Sequence, residues 1–158
     1  MISIIEPIFR QIEFQVESIK MLANKVDIFM LEQEIYPGGR TCFELLTHIA
    51  LIPEADVMLI KGAEKSEMDD YYHYWQKEVT SIEVFEARLE LSMNILHDFY
   101  NQLEEDEMLN MKMTYWQTRQ TYLDWLLVIL THLTHHRAQL YSAVRQFGDD
   151  EGLSNLFE

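Results

Sequence analysis

The sequence predicts an all-α protein built as a four-helix bundle, and three observations support this fold class. Four segments carry apolar residues at steps of three and four, three of them open with a capping sequence, and no useful length of chain alternates with the period of a strand. A chain of 158 residues is long enough to form one domain with a sizeable core. We predict a single bundle over residues 1–148 and a loose acidic tail over residues 149–158.

The first helix is predicted to begin at Ser3, because Glu6 follows three residues later and completes a capping box. Its apolar stripe continues to about residue 26. Residues 27–40 are predicted to form a connection, which contains the turn sequence Pro-Gly-Gly at 37–39.

The second helix is predicted to begin at Thr41, with Glu44 completing its capping box, and to end at Gly62. Pro53 should kink or restart this helix because it cannot donate a backbone hydrogen bond. Residues 63–80 combine several charges with five aromatic or histidine residues in a row. We expect them to form a long connection that packs its aromatic rings against the bundle; a substrate lid is the alternative.

The third helix is predicted to begin after Thr80 or Ser81, and its apolar stripe continues past residue 100. Residues 108–120 are predicted to be another connection. The fourth helix is predicted to begin at a Thr-x-x-Asp capping sequence that starts at Thr121, and to end at Gly148.

Composition excludes several classes of function. A net charge of −15 argues against binding to nucleic acid and to anionic membranes. The longest uninterrupted apolar run, residues 125–130, is too short to span a bilayer, and the N-terminus lacks the features of a signal peptide. Cys42 is the single cysteine, so no internal disulfide forms and a cytoplasmic location is expected.

The fourth predicted helix carries the clearest candidate for a functional site. His132 and His136 are four residues apart, so both imidazoles lie on one face of the helix, and that face is otherwise apolar. Two buried histidines satisfied by neighbouring side chains would give the same pattern, and for the pair alone the two interpretations are equally good. His48 faces inward from the second helix, and this third imidazole favours a metal site.

Three imidazoles suit zinc, nickel, iron(II) or copper, and three protein ligands leave an open coordination position, which is typical of catalytic sites. An ion there would acidify a bound water or thiol. Protons would compete with the ion for the histidine nitrogens, so the stability gained from metal should fade below about pH 6.5. Glu44 and Gln139 lie on the same side as the histidines. Either residue is a candidate to orient a ligand or to act at the open position, although capping or packing would also explain them.

Other kinds of site fit the sequence poorly. There is no Glu-x-x-His pair for a di-iron site, and His132 is followed by Leu133 where a His-Glu-x-x-His metalloprotease has glutamate. The sequence also lacks a Gly-x-Ser-x-Gly nucleophile elbow and a phosphate-binding loop. Cys42 is interpreted as a quiet structural thiol, with a nucleophile as the less favoured alternative.

Two motifs together resemble the DinB/YfiT-like family. Residues 44–50 read Glu-Leu-Leu-Thr-His-Ile-Ala, and residues 132–140 read His-x-x-x-His-Arg-x-Gln-Leu. The resemblance covers the chain in helix order and length. It implies a four-helix bundle, a divalent metal held by His48, His132 and His136, and in many cases a homodimer. Where the isomerase-like branch of the family has glutamate as the first ligand of the last helix, this chain has His132.

The resemblance also implies two functional hypotheses. Several members of the family act with a low-molecular-weight thiol, either as bacillithiol or mycothiol S-transferases or as a maleylpyruvate isomerase. The first hypothesis is therefore a metal-dependent enzyme whose partners are a small thiol and an electrophilic substrate, with a hydrolase as a variant. The second is a non-enzymatic, stress-related helical dimer with a structural or vestigial metal site. A protein ligand closing the fourth metal position would favour the second.

Overall fold

The computed structural model describes residues 4–148 together with residues 152, 153 and 156. Helices dominate this part of the chain, and a two-stranded hairpin precedes the last helix. In chain order the elements are α1 (Glu6–Ala23), α2 (Ile28–Leu31), α3 (Cys42–Ile60), α4 (Lys65–Glu78), α5 (Ile82–Asn101), a 3-10 turn (Glu105–Leu109), β1 (Met111–Met113), β2 (Arg119–Thr121) and α6 (Tyr122–Phe147).

The long helices α1, α3, α5 and α6 form the predicted bundle, so the all-α fold class is confirmed. Helix α3 packs mainly against α5 and α6, and α6 also packs against α1. Their apolar faces meet in one contiguous hydrophobic core. Within the described residues, no helix is long and apolar enough to cross a membrane. Helices α3 and α6 are the pair that brings the three candidate ligands together.

Capping sequences fix the starts of the bundle helices, as predicted in two cases. Complete capping boxes precede α3, where Thr41 pairs with Glu44, and α6, where Thr121 pairs with Asp124. Helix α1 differs from the prediction, because it begins at Glu6 and has no side-chain cap. Ser3, the predicted cap, lies outside the described residues.

Pro53 lies inside α3, and the helix continues through it to Ile60 instead of stopping. Proline removes one backbone donor from the helix and disturbs the turn around it. The next amide, that of Glu54, donates a hydrogen bond of 2.8 Å to the Ser92 hydroxyl on α5. A side chain of the neighbouring helix thus compensates for part of the disturbance, which the sequence alone does not reveal.

The prediction of a connection over residues 63–80 is wrong, because α4 occupies most of it. Glu64 and Glu67 form a capping box at its start, and this pattern is a helix signal that the abundance of charge obscured. The helix has few buried residues of its own. Its side chains Tyr71 and Trp75 pack instead around the guanidinium of Arg88 on α5, which fastens α4 to the bundle.

The connection predicted over residues 108–120 contains a short hairpin. Strands β1 and β2 pair antiparallel, with Lys112 opposite Gln120. Three-residue strands are too short for alternation to stand out in a sequence. In the tail, Leu153 and Leu156 are both buried against the core, so these two residues are not loose; most of the other tail residues lie outside the described part.

Asp56 carries a buried carboxyl group in the second half of α3. Its side chain is 7% exposed, and its Oδ2 has no hydrogen-bond partner within the described residues. Burial raises the pKa of this carboxyl to about 7. The folded chain therefore retains a proton that the unfolded chain releases above about pH 4.

We expect Asp56→Asn to stabilise the protein increasingly as the pH rises. An acid whose pKa is higher in the folded state loses stability between its unfolded and folded pKa values, here from about pH 4 to about pH 7. The amide has no such titration. Urea unfolding at pH 4.5 and pH 8 measures the difference between variant and wild type, which should be larger at pH 8. A stability difference that does not change with pH would contradict a raised pKa for Asp56 in the folded protein.

Candidate metal centre

Three histidines meet between α3 and α6. His48 comes from α3, while His132 and His136 lie one turn apart on α6, so helical spacing sets their separation. Their nitrogen atoms that could bind one ion lie within 4.8 Å of one another. His136 is buried, and the other two histidines are half-buried. The structure therefore brings together the three residues that the sequence predicted as metal ligands.

The spacing of one pair of rings, His48 and His132, fits two ligands of a tetrahedral metal ion. The Nε2 atoms of His48 and His132 are 3.3 Å apart. Two nitrogens bound at ~2.0–2.1 Å to a tetrahedral zinc ion would be about 3.3–3.4 Å apart. No fourth His, Cys, Asp or Glu joins this group in the part of the chain that the structure describes. The donor set is thus suited to an ion with an open position.

The environment keeps these histidines neutral, as ligands must be. Burial lowers the pKa of His48 to about 3 and that of His132 to about 4, and burial also lowers the pKa of His136. The positive charge of Arg40 lowers the pKa of all three further. Lone pairs on neutral imidazoles are available to a metal without loss of a proton at neutral pH.

Gln139 orients one of the candidate ligands. Its Oε1 lies 2.8 Å from Nδ1 of His136, so the ring donates its Nδ1–H and keeps the Nε2 lone pair for an ion. The sequence placed Gln139 on this face as a candidate to orient a ligand, and His136 is the ligand that it contacts. Arg137, the residue after His136, is only 8% exposed.

A cleft of about 1010 Å³ opens beside His48, between α3, α4 and the loop before α3. Apolar and aromatic side chains form much of its wall, with Thr47, Gln76 and two charged residues. The described lining residues are Tyr36, Gly38, Gly39, Arg40, Phe43, Glu44, Thr47, His48, Leu51, Tyr72 and Gln76. A small molecule in this cleft would reach the histidine cluster through His48.

Two residues of the cleft were missed in the sequence. Tyr72 lies on α4 with its ring centroid 6.2 Å from that of His48, and burial raises the pKa of its phenol to about 12. Arg40 follows the predicted turn directly. Neither residue stands at a spacing in the sequence that would suggest a role beside the histidines. Only the fold shows that both line the cleft. The Glu64–Glu67 capping box was the available signal for the helix that presents Tyr72.

Glu44 lies at the rim of the cleft, exposed, and its carboxylate closes the capping box of α3 by accepting from the Thr41 amide at 2.8 Å. The cap explains its place in the sequence, and Glu44 is also one of the residues that line the cleft. Cys42 is 1% exposed, and burial raises the pKa of its thiol to about 11. A protonated, enclosed thiol is not a nucleophile, in agreement with a structural role.

Comparison with known proteins shows which family and which solved structures this chain is similar to. The family model described as the DinB family matches residues 2–156. A crystal structure of a DinB family protein from Exiguobacterium sibiricum 255-15 is similar with a TM-score of 0.84 and 25% identity, covering 99% of each chain. A DinB-like protein from Bacillus cereus ATCC 10987 has a TM-score of 0.70 and 18% identity, covering 90% of this chain and 91% of that one.

A more distant neighbour is a mutant of the mycothiol-dependent maleylpyruvate isomerase. It has a TM-score of 0.62 and 12% identity, and the match covers 92% of this chain but only 61% of the isomerase. That similarity shows the fold alone. No curated protein matches the sequence. With the family model matched over nearly its whole length, the chain belongs to the DinB family.

Proposed function

We propose that the protein is a metal-dependent transferase that joins a small thiol to an electrophilic substrate. The observation that carries the proposal is the convergence of three neutral imidazoles beside an open cleft. A divalent ion held by His48, His132 and His136 would supply a Lewis acid that lowers the pKa of a thiol. A thiol-dependent isomerase among the structural neighbours supports the choice of a thiol over water.

Residues of the chain have separate roles in this reaction. Gln139 fixes the tautomer of His136, and the buried position of the cluster keeps the other two imidazoles neutral. Glu44 accepts the proton that the thiol loses, because it lines the same cleft. The sulfur then forms a bond to the electrophilic carbon, and the leaving group departs with its bonding electron pair.

The open side of the site also bears on the non-enzymatic alternative. A structural metal site is closed by four protein ligands, whereas this cluster has three and adjoins a cleft. This arrangement supports an enzyme. Zinc, nickel and iron(II) remain the candidate ions, since all three accept imidazole ligands.

The test is an assay of the metal-loaded protein with a model electrophile and a panel of cellular thiols. We expect at least one thiol to react faster than its uncatalysed rate, and His136→Ala to abolish the acceleration while the circular dichroism of the helices is kept. His73→Ala, at an exposed histidine on α4, is the matched control and should keep full activity. If no thiol in the panel is accelerated, the transferase proposal fails.

We also propose a cytoplasmic homodimer, as the family resemblance implies. Exposed apolar side chains, including Phe29 at 79% and Ile28 at 76%, offer surface for an interface. Light scattering at micromolar concentration should give about twice the 18.9 kDa chain mass. A mass equal to one chain would contradict the dimer.

A further inference from the structure

Tyr72 lies in the wall of the cleft, and its hydroxyl has no hydrogen-bond partner among the described residues. Burial raises the pKa of Tyr71, Tyr72 and Tyr100. The hydroxyl of Tyr71 donates to Glu54 at 2.8 Å, and that of Tyr100 donates to the Tyr122 carbonyl at 2.7 Å. Enclosed tyrosines usually satisfy their hydroxyl in this way, so Tyr72 differs from the other two.

The hydroxyl of Tyr72 is accessible to a molecule in the cleft. The residue is half-buried on α4, but its oxygen is not one of the enclosed, unpartnered polar atoms of the described residues. A group that enters the cleft can therefore accept a hydrogen bond from it. Because burial raises its pKa to about 12, the phenol keeps its proton at neutral pH and can act as a donor.

Neighbouring side chains hold the ring of Tyr72 beside the histidine cluster. Its centroid is 6.2 Å from that of His48 and 5.6 Å from that of Tyr71. Tyr71 is in turn fixed, because its hydroxyl donates to Glu54 and accepts a hydrogen bond of 2.9 Å from Arg88. A donor that is held in place before the reaction starts stabilises a developing charge without the cost of reorganisation.

The proposed reaction moves negative charge from the sulfur to the leaving atom. The metal site already stabilises the charge on the sulfur, so a second donor in the cleft is most useful at the leaving atom. A halide leaves as a weak base and needs little help, whereas oxygen leaves as a strongly basic alkoxide and needs a donor. In an epoxide, ring strain makes a carbon electrophilic although the leaving atom is oxygen.

We propose that Tyr72 is a catalytic residue that donates a hydrogen bond to the leaving oxygen, and that the electrophile is an epoxide. The thiolate sulfur forms a bond to one ring carbon, the C–O bond breaks, and its electron pair stays on the oxygen beside the Tyr72 hydroxyl. The proton that Glu44 took from the thiol then passes to this oxygen, so the product is a β-hydroxy thioether. The inference rests on the proposed function and adds the class of electrophile.

The first test compares two electrophiles that share a phenyl group and differ in the leaving atom. Styrene oxide has oxygen and benzyl chloride has chlorine, and the phenyl group suits the apolar wall that includes Phe43 and Leu51. With zinc-loaded protein, Tyr72→Phe should lower kcat for styrene oxide by on the order of 100-fold and that for benzyl chloride by less than about three-fold. Tyr74→Phe, at an exposed tyrosine of the same helix, is the matched control and should change neither.

The second test measures binding without turnover. Benzyl methyl ether and propylbenzene differ by one oxygen in place of one methylene, and neither reacts with a thiol. Ligand-observed NMR with zinc-loaded protein gives their dissociation constants. Tyr72→Phe should lower the affinity for the ether relative to the hydrocarbon by about five-fold, because one hydrogen bond is lost. Tyr74→Phe should leave the affinity ratio unchanged.

The two tests together separate this inference from the proposed function. A loss of kcat confined to styrene oxide, with a fall in the affinity ratio, supports Tyr72 as the donor to the leaving oxygen. Equal losses of kcat with both electrophiles, or an affinity ratio that Tyr72→Phe leaves unchanged, overturn the inference. In a protein that accelerates no thiol, a ratio that depends on Tyr72 would refute the proposed function and leave the hydrogen-bond donor of the cleft standing.

Discussion

Replacing Arg88 by methionine is expected to lower the free energy of unfolding by on the order of 3 kcal/mol. Arg88 is 4% exposed on α5, and it forms an ion pair with Glu54 of α3. Its Nη2 donates to the Tyr71 hydroxyl at 2.9 Å, and its guanidinium carbon lies 4.1 Å from the ring centroid of Trp75 on α4. Methionine fills much of the volume but leaves Glu54 charged and mostly buried without its cation.

Urea unfolding at pH 7 measures this loss, and two further variants identify its cause. Arg88→Met combined with Glu54→Gln should recover part of the stability, because the uncompensated charge is removed. Arg10→Met breaks an ion pair whose side chains are 61% and 60% exposed, so it should change the stability by less than about 1 kcal/mol. A loss at Arg88 no larger than that at Arg10 would show that the buried cluster does not hold α4 in place.

Zinc at a hundred times its dissociation constant is expected to stabilise the folded chain by about 2.7 kcal/mol at neutral pH. For a domain of this size that gain corresponds to an increase in melting temperature of roughly 5–10 °C. The physical reason is that the three imidazoles converge only in the folded state, so the unfolded chain binds the ion more weakly.

The pH dependence follows from the lowered pKa values of the ligands. The pKa of His48 falls to about 3 and that of His132 to about 4, whereas both are near 6.5 in the unfolded chain. The contribution of these two histidines to the stability of the metal-free protein is therefore complete above about pH 6.5 and is lost as the pH falls toward 4, because the unfolded chain takes up protons first. The gain from zinc should persist to about pH 5, since the folded nitrogens of His48 and His132 remain unprotonated there.

Thermal melts at pH 7.5 and pH 5.5, with zinc and after removal of metal by a chelating resin, measure both effects. We expect a similar zinc-induced increase at the two pH values. In the Asp56→Asn variant, which lacks the opposing titration of that carboxyl group, the metal-free protein should have a lower melting temperature at pH 5.5. His48→Ala should remove the zinc-induced increase. Equal melting temperatures with and without zinc at pH 7.5 would count against the three histidines as ligands.

Local signals predicted the bundle and the candidate ligands well. The capping boxes at Thr41 and Thr121 fix the starts of α3 and α6, and each depends on residues only three positions apart. The phase of these helices then places His48, His132 and His136 on inward faces. Because α3 and α6 pack against each other, correct phases were sufficient to bring the histidines together.

Features that depend on contacts between distant parts of the chain were not predictable in this way. Helix α4 has a weak apolar face and is held by Arg88, which lies on the following helix. The same holds for Tyr72 and Arg40, which reach the cleft only because α4 and the loop before α3 pack beside His48. The pKa values of His48 and His132 were likewise not predictable from the sequence, since burial in the fold moves them far below 6.5.

The central claim is that His48, His132 and His136 bind one divalent ion, and its most direct test is a crystal structure of the metal-loaded protein with anomalous diffraction at the metal edge. The account predicts one anomalous peak per chain, within about 2.0–2.2 Å of one nitrogen of each of the three histidines and with a further position open toward the cleft. His136→Ala crystals, grown under the same conditions, should lack the peak. A metal-loaded wild-type crystal with no peak between α3 and α6, or with its peak bound by other residues, would contradict the account.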